Sequence, residues 1–217
     1  MKRVLATIAI GDHEWILRET GHRFAEYAAM IGAEYLVVDK TDRDPPHYAK
    51  FDLFKRVVDE GFDSMLFIDA DIHIRRQAPN IFDYYESAAF SEVPHPKLLW
   101  LKKGIDWIRN NLDADWPANR YYNTGVIVAQ GQDLINLATI TAAADQRPGA
   151  YFEQDQLNVL MRDIGFPRQN LDQRWNQFCC REWVTKDKAR AAYFLHGTGA
   201  AGQKKLELVQ KFSREYP

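Results

Sequence analysis

Three short apolar runs punctuate the first third of the chain, and between them apolar positions recur at helical spacing. Val4 to Ile10 is apolar and rich in β-formers and ends at Gly11-Asp12, which reads as a strand buried on both faces and then a turn. From His13 to Met30, Ile16, Leu17, Phe24, Tyr27 and Ala28 fall near a 3.6-residue period, and Gly32 is placed to stop that helix. Glu34 to Asp39 predicts a second strand around Tyr35, Leu36, Val37 and Val38, followed by a polar turn with Pro45-Pro46. Tyr48 to Glu60 predicts a second amphipathic helix (Phe51, Phe54, Val57, Val58), closed by Gly61. Ser64 to Ile68 predicts a third strand running into Asp69-Ala70-Asp71. Alternating strands and helices are the rhythm of a mostly parallel sheet flanked by helices, with right-handed crossovers. Ligands of such sheets bind beyond the carboxyl ends of the strands, which is where Asp69 and Asp71 fall.

The second half is less regular. Residues 92 to 120 hold Pro94, Pro96 and Pro117 with Trp100, Trp107 and Trp116, which predicts an irregular, partly helical excursion. Tyr121 to Gln130 returns to strand and contains Asn123-Thr124-Gly125; Asp133 to Ala144 and Phe152 to Asp163 read as helices. Ala191 to Leu195 is a short strand ending at His196. Gln203 to Tyr216 is a basic amphipathic helix with Leu206, Val209, Phe212 and Tyr216 on one side, suited to docking on the body or to peripheral contact with a membrane surface.

The 217 residues suffice for one domain with its own core, and no Pro-, Gly- or Ser-rich linker divides them. With 28 basic against 30 acidic residues, the net charge of −2 argues against nucleic acid or a membrane as the primary partner. No apolar run approaches the roughly 20 residues of a membrane helix. Met1-Lys2-Arg3 before Val4 to Ile10 has the outline of a signal peptide, but Gly11, Asp12, His13 and Glu14 replace the small-residue cleavage site, so a buried strand is expected. Cys179 and Cys180 are adjacent, a poor geometry for a disulfide, which points to a reducing compartment and a cytoplasmic location.

The chemistry concentrates at two places. On an extended segment residues i and i+2 point the same way, so Asp69 and Asp71 are expected to converge. Two carboxylates that close repel unless a cation lies between them or one binds a proton, and hard oxygen donors suit Mg²⁺ or Mn²⁺. The plain alternative is one Asp capping a helix and the other solvated. Tyr193 to Leu195 leads into His196-Gly197-Thr198-Gly199, with Lys204-Lys205 beyond. An imidazole added to two carboxylates moves the metal preference toward Mn²⁺. Glycines allow close approach of backbone to a ligand, and a lysine can neutralise phosphate. Taken alone, His196 is as well explained as a structural histidine and the lysines as a solvated face.

Four blocks, in order, resemble the retaining glycosyltransferases of family 8, the group of glycogenin and the bacterial lipopolysaccharide galactosyltransferases. They are Leu66 to Ile72, Tyr121-Tyr122-Asn123-Thr124-Gly125-Val126, Glu153-Gln154-Asp155-Gln156-Leu157-Asn158, and His196 with Gly199. The resemblance implies a GT-A nucleotide-diphospho-sugar transferase fold over residues 1–217, with a nucleotide-binding half (1–72) and a half that completes the metal and acceptor sites (73–217). It implies a Mn²⁺ site, with Mg²⁺ the alternative, held by Asp69, Asp71 and His196. It assigns the donor to Ala9, Ile10, Gly11, Trp15, Lys50, Ala70, Asn123, Gly199 and Lys204, with Trp15 as a stacking residue and Glu153 also bonding the sugar. It places Gln154 on the anomeric face opposite the diphosphate, with Glu153 and Asp155 in the same catalytic block. The implied reaction moves a hexose or pentose from a UDP-sugar to an acceptor hydroxyl with retention. The acceptor stays open among glycan, lipid, protein and nucleobase.

There are departures from the pattern. The position six residues after His196 is Gly202, where the family has lysine; lysines stand at 204 and 205, and Glu153 replaces Asp. The Pro45-Pro46 to Lys50 stretch is closer to family 34 galactosyl/xylosyltransferases. Trp100, Trp107 and Trp116 are packing residues or a sugar-stacking wall. Two other functions compete: a non-catalytic nucleotide-sugar binder and a haloacid-dehalogenase-like phosphatase. The latter carries its Asp-x-Asp at the first strand, whereas here it follows the third and leads into Ile72-His73.

Overall fold

A computed structural model describes residues 1–93, 99–113, 115–117, 120–145, 147, 149–165, 168–179 and 185–217; the side chains of 99 and 100 are also outside the description. The expectations for Pro94, Pro96, Cys180 and the ring of Trp100 therefore lie outside the described residues.

In chain order the first elements are β1 (Arg3–Ile8), α1 (Asp12–Met30), β2 (Ala33–Val38), α2 (Ala49–Asp59), β3 (Ser64–Ile68), β4 (Ile72–Ile74) and β5 (Ala89–Glu92). There follow α3 (Leu99–Asn111), β6 (Tyr122–Gln130), α4 (Gly131–Ala142), α5 (Glu153–Asp163), β7 (Gln169–Asn170), β8 (Gln177–Phe178), α6 (Lys186–Ala191), β9 (Phe194–His196) and α7 (Gly202–Glu215). The central sheet runs β2-β1-β3-β6-β5-β7. β1 is parallel to β2 and β3, and β5 is parallel to β7; β6 alone runs against its neighbours.

The apolar runs form these strands because both faces of the sheet are covered. In β3 every side chain is fully buried, with Met65 and Phe67 in one core and Leu66 and Ile68 in the other. β6 divides in the same way, Ile127 and Ala129 against Val126 and Val128. The first core is closed by Phe51, Phe54 and Val57 of α2 and by Leu134 and Leu137 of α4; the second by Phe24, Tyr27 and Ala28 of α1. Period-two alternation on strands and 3.6-residue stripes on helices thus meet in two apolar layers.

A small second sheet, β4-β9-β8, lies beyond the end of β3. β4 pairs antiparallel with β9 in the register Ile72↔His196, and β8 pairs parallel with β9 in the register Phe178↔His196. β9 is held by Phe194, which meets Tyr27 edge-on at 5.5 Å and Trp175 at 5.3 Å. α7 docks through buried Val209 and Phe212, and His73 on β4 reaches its end: Nε2 lies 2.9 Å from the Tyr216 carbonyl and Nδ1 3.3 Å from Ser213 Oγ. Burial pushes the His73 imidazole down to about 4, so it is neutral there at physiological pH. No helix among the described residues is long and apolar enough to cross a membrane.

Trp116 is buried and donates its indole N–H to the Arg120 carbonyl at 2.8 Å, and Trp107 packs against the same small core under α3. Trp116 is thus a packing residue, and Trp107 packs with part of its ring exposed.

Phe194 anchors a strand of only three residues, so its truncation falls on the whole small sheet. Phe194→Ala is expected to lower stability by about 3–5 kcal/mol in a urea titration; a loss under about 1 kcal/mol would contradict this packing.

Candidate functional site

The Asp-x-Asp segment is a turn rather than a strand extension. β3 ends at Ile68, and the Ile72 N–H closes the turn onto the Asp69 carbonyl at 3.1 Å. Each end of the turn is tied to a different sheet. The Asp69 N–H donates to the Gly125 carbonyl of β6 at 2.8 Å, and the Gly197 N–H, just past β9, donates to the Asp71 carbonyl at 3.0 Å. Thr20 of α1 donates its hydroxyl to the Ala70 carbonyl between them at 2.9 Å. The carboxylates therefore converge through the turn, not through the i, i+2 alternation of a strand.

β9 delivers His196 to the same place. Its Nε2 stands 3.2 Å from Asp71 Oδ1 and 3.9 Å from Asp69 Oδ2. One donor atom from each of Asp69, Asp71 and His196 lies within 4.8 Å of the others. Burial would raise the Asp71 carboxyl, but His196 and then Lys205 pull it well below the usual carboxylate range. Lys205 Nζ is 2.7 Å from Asp71 Oδ2, an ion pair without hydrogen-bond angles.

Gly125 explains how so many groups fit. A β-carbon there would stand 2.3 Å from His196 Cε1, 2.8 Å from Asp69 Oδ2 and 3.0 Å from Asn123 Oδ1. The bare backbone of β6 lets the His196 ring and the Asp69 carboxylate pack directly against it. Two hard oxygen donors and one borderline nitrogen within 4.8 Å of one another suit a small divalent cation.

A cavity of about 530 Å³ opens over this group, within the usual range for small-molecule sites. Its walls carry Asp69, Asp71 and Glu153 against Lys50 and Lys205. Lys50 comes from α2 and is almost wholly buried; its Nζ donates to Glu153 Oε1 at 2.7 Å and to Thr124 Oγ1 at 3.2 Å, and lies 3.5 Å from Asp69 Oδ1. Burial would lower the Lys50 ammonium, yet Asp69 and Glu153 reverse this and hold it above its ordinary value. It is a fixed cation under the cavity floor.

α5 is bolted to β6 at four consecutive positions, which accounts for two of the sequence blocks together. Asp155 accepts the Tyr121 hydroxyl; Asn158 brackets Tyr122, accepting its N–H at 2.7 Å and donating to its carbonyl at 2.9 Å. Gln154 Oε1 accepts from Asn123 Nδ2 and from the Thr124 N–H, both at 3.0 Å. Phe152 enters α5 with φ 51°, a left-handed conformation that strains a side chain by about 1 kcal/mol or more. Its ring stacks on His47 at 4.2 Å, and both rings line the cavity.

The site residues anticipated from sequence divide into two groups. Asp69, Ala70, Asp71, His196, Ile10, Lys50, Asn123, Glu153, Gln154 and Gly199 line the cavity. Five others stand elsewhere. Ala9 is buried and its N–H donates to the Val38 carbonyl at 2.9 Å. Gly11, at φ 62°, turns the chain into α1. Trp15 is 59% exposed and stacks on the Arg18 guanidinium at 4.2 Å, because the helix phase turns it outward. Lys204 points away on α7, and Lys205 makes the contact with Asp71. Asp155 is fully buried behind Tyr121.

Lining residues without a role in the sequence reading include His47 and Thr198, and of the two lysines it offered for phosphate Lys205 is the one on the wall. For Lys205 a signal existed: with buried Val209 and Phe212 it falls at i, i+4, i+7, the inward stripe of α7.

No protein-family model and no curated sequence matches the chain. Among solved structures it is similar to the crystal structure of a glycosyltransferase involved in the glycosylation of the major capsid of PBCV-1. The TM-score is 0.67 over 97% of this chain and 100% of that one, at 14% sequence identity. The chain shares that fold. It is a GT-A-like α/β architecture, a mostly parallel central sheet flanked by helices.

Two predictions follow from this geometry. Gly125→Ala is expected to weaken Mn²⁺ binding at least tenfold by calorimetric titration, since the added methyl displaces the His196 ring and the Asp69 carboxylate; unchanged affinity would mean that their packing against β6 does not set the ion's site. The second concerns Asp155, whose carboxyl burial pushes up to about 6. Its folded value is raised above the unfolded one near 4, so the penalty is absent in acid and develops as pH rises from about 4 to 6. Asp155→Asn is expected to be less destabilising at pH 7.5 than at pH 4, by up to about 3 kcal/mol. A difference that does not vary with pH would refute the buried carboxylate.

Proposed function

We propose that the chain is a metal-dependent glycosyltransferase that moves a hexose or pentose from a UDP-sugar to an acceptor hydroxyl, with retention of configuration. The observation that carries this reading is the meeting of Asp69, Asp71 and His196 under one cavity in a GT-A-like fold. The structural neighbour is a glycosyltransferase, which agrees with it. We read residues 1–217 as one domain serving this site.

Asp69, Asp71 and His196 would hold Mn²⁺ or Mg²⁺. Bound there, the ion supplies positive charge against which the two phosphates of a nucleoside diphosphate can leave. Everything else falls to the chain. Lys205 and the Thr198 hydroxyl, both on the cavity wall, are available to phosphate oxygens; Thr198 Oγ1 is buried without a hydrogen-bond partner. Lys50 and Glu153 are a preorganised cation and acceptor for the sugar and its diphosphate, with Asn123 beside them. The base and ribose fit along Ile8, Ile10 and His13, at the carboxyl end of β1.

As the bond from the anomeric carbon to the phosphate oxygen breaks, that carbon becomes oxocarbenium-like. Gln154 then serves as a fixed dipole, not a base, because its carbonyl is oriented by two N–H donors. The acceptor hydroxyl forms the new bond from the leaving-group side, and its proton passes to the departing phosphate oxygen.

A thermal-shift screen of nucleotide sugars with and without Mn²⁺ tests the reading, since a ligand of the folded state raises Tm. A rise is expected for a UDP-sugar and Mn²⁺ together, and Asp71→Asn should abolish both the shift and transfer. Transfer at the wild-type rate by Asp71→Asn would overturn the metal assignment. A shift without turnover against any acceptor or water would leave a binding protein instead.

A further inference from the structure

We infer that Asn176 is a positioning residue that holds a proton on Nδ1 of His196, so that Nε2 is the nitrogen left to give its lone pair to a metal ion between Asp69 and Asp71. The inference deepens the proposed metal site, and its evidence is a hydrogen-bond chain whose direction is set by backbone.

Side-chain amides can face either way, but a backbone N–H is always a donor. The Gly125 N–H donates at 3.0 Å to Asn123, so the atom it meets must be the amide oxygen. The Thr124 N–H donates at 3.0 Å to Gln154 and fixes that oxygen too. Asn123 must therefore turn its NH₂ to the Gln154 oxygen, which it does at 3.0 Å. Gln154 is left to donate to the Tyr121 hydroxyl at 3.0 Å, and the Tyr121 O–H donates in turn to the Asp155 carboxylate.

The same logic runs the other way. The Asn123 oxygen also meets Asn176 at 2.9 Å, so Asn176 presents its NH₂ there and its oxygen to His196 Nδ1 at 2.8 Å. An oxygen accepts only, so Nδ1 must carry the proton. Nε2, 3.2 Å from Asp71 Oδ1, is then the nitrogen left free to ligate. Asn176 and His196 are both almost completely buried, so no solvent competes for these bonds. The chain also runs in one sense, each group donating to the next from His196 to Asp155, which lets successive bonds reinforce each other.

Outer-sphere partners of a ligating histidine typically govern metal affinity by 10–100-fold. Asn176→Ala is accordingly expected to weaken Mn²⁺ binding by 10–100-fold, read as free Mn²⁺ by electron paramagnetic resonance. Asn176→Asp still accepts the Nδ1 proton and should stay within a few-fold of wild type. Its second oxygen meets the Asn123 oxygen, so its Tm should fall even though affinity is kept. A merely structural Asn would lose affinity and Tm together.

The deciding readout needs no metal and no turnover. Long-range ¹H–¹⁵N spectra of the metal-free full chain at pH 8, with His196 assigned by its loss in His196→Gln, should show Nδ1 protonated in wild type and in Asn176→Asp. In Asn176→Ala, Nδ1 should lose its proton in at least part of the population. A wild-type His196 without a proton on Nδ1, or Mn²⁺ affinity in Asn176→Ala equal to wild type, overturns the inference. Should wild type bind no Mn²⁺, the metal reading falls, while the tautomer spectra still decide for or against Asn176. If Asn176→Ala does not fold, wild type and Asn176→Asp carry the test.

Discussion

The pairing of β4 with β9 is the constraint on which the rest of the site depends. Each strand has only three residues, yet the register Ile72↔His196 sets an imidazole from late in the chain beside the carboxylate that precedes β4. β8 joins on the other side of β9 and carries Asn176 in with it. Three segments remote in sequence thus acquire their chemistry from a few backbone hydrogen bonds. Strands this short gain little from their own ladder. They hold because Phe194, Tyr27 and Trp175 pack behind them and because His73 ties β4 to α7.

The other half of the site is built on β6 and α5, where polar groups take over the role that apolar packing plays elsewhere. Tyr121, Asn123, Glu153, Gln154, Asp155 and Asn158 are polar, and most are buried; they are tolerated because each finds a partner. Satisfied networks of this kind favour one arrangement of side chains, at the expense of tolerance to change. Lys50 extends the network under the cavity floor, where its ammonium and the Glu153 carboxylate compensate each other's burial.

Much of this was legible in the sequence. β3 begins and ends where the apolar run Ser64 to Ile68 does, and α1, α2 and α5 begin within a residue or two of their expected starts. Long periodic segments announce themselves because burial acts on every residue in them. The short strands β4, β7 and β8 and the six-residue α6 left no such trace; their boundaries are set by tertiary hydrogen bonds. Asn176 was invisible for the same reason, since it follows a single 3₁₀ turn, Gln173–Trp175, in a stretch with no period. Trp15 and Asp155 show how helix phase escapes such a reading. Nearness in sequence to a site does not fix which way a helix turns a side chain, and in both cases the phase turns it elsewhere.

The turn from Asp69 to Asp71 bridges a seam, since one end hangs from the central sheet at Gly125 and the other from the small sheet at Gly197. Ala70 alone spans the joint. Whatever ligates both carboxylates at once therefore also rivets the two sheets at the edge of the core they share.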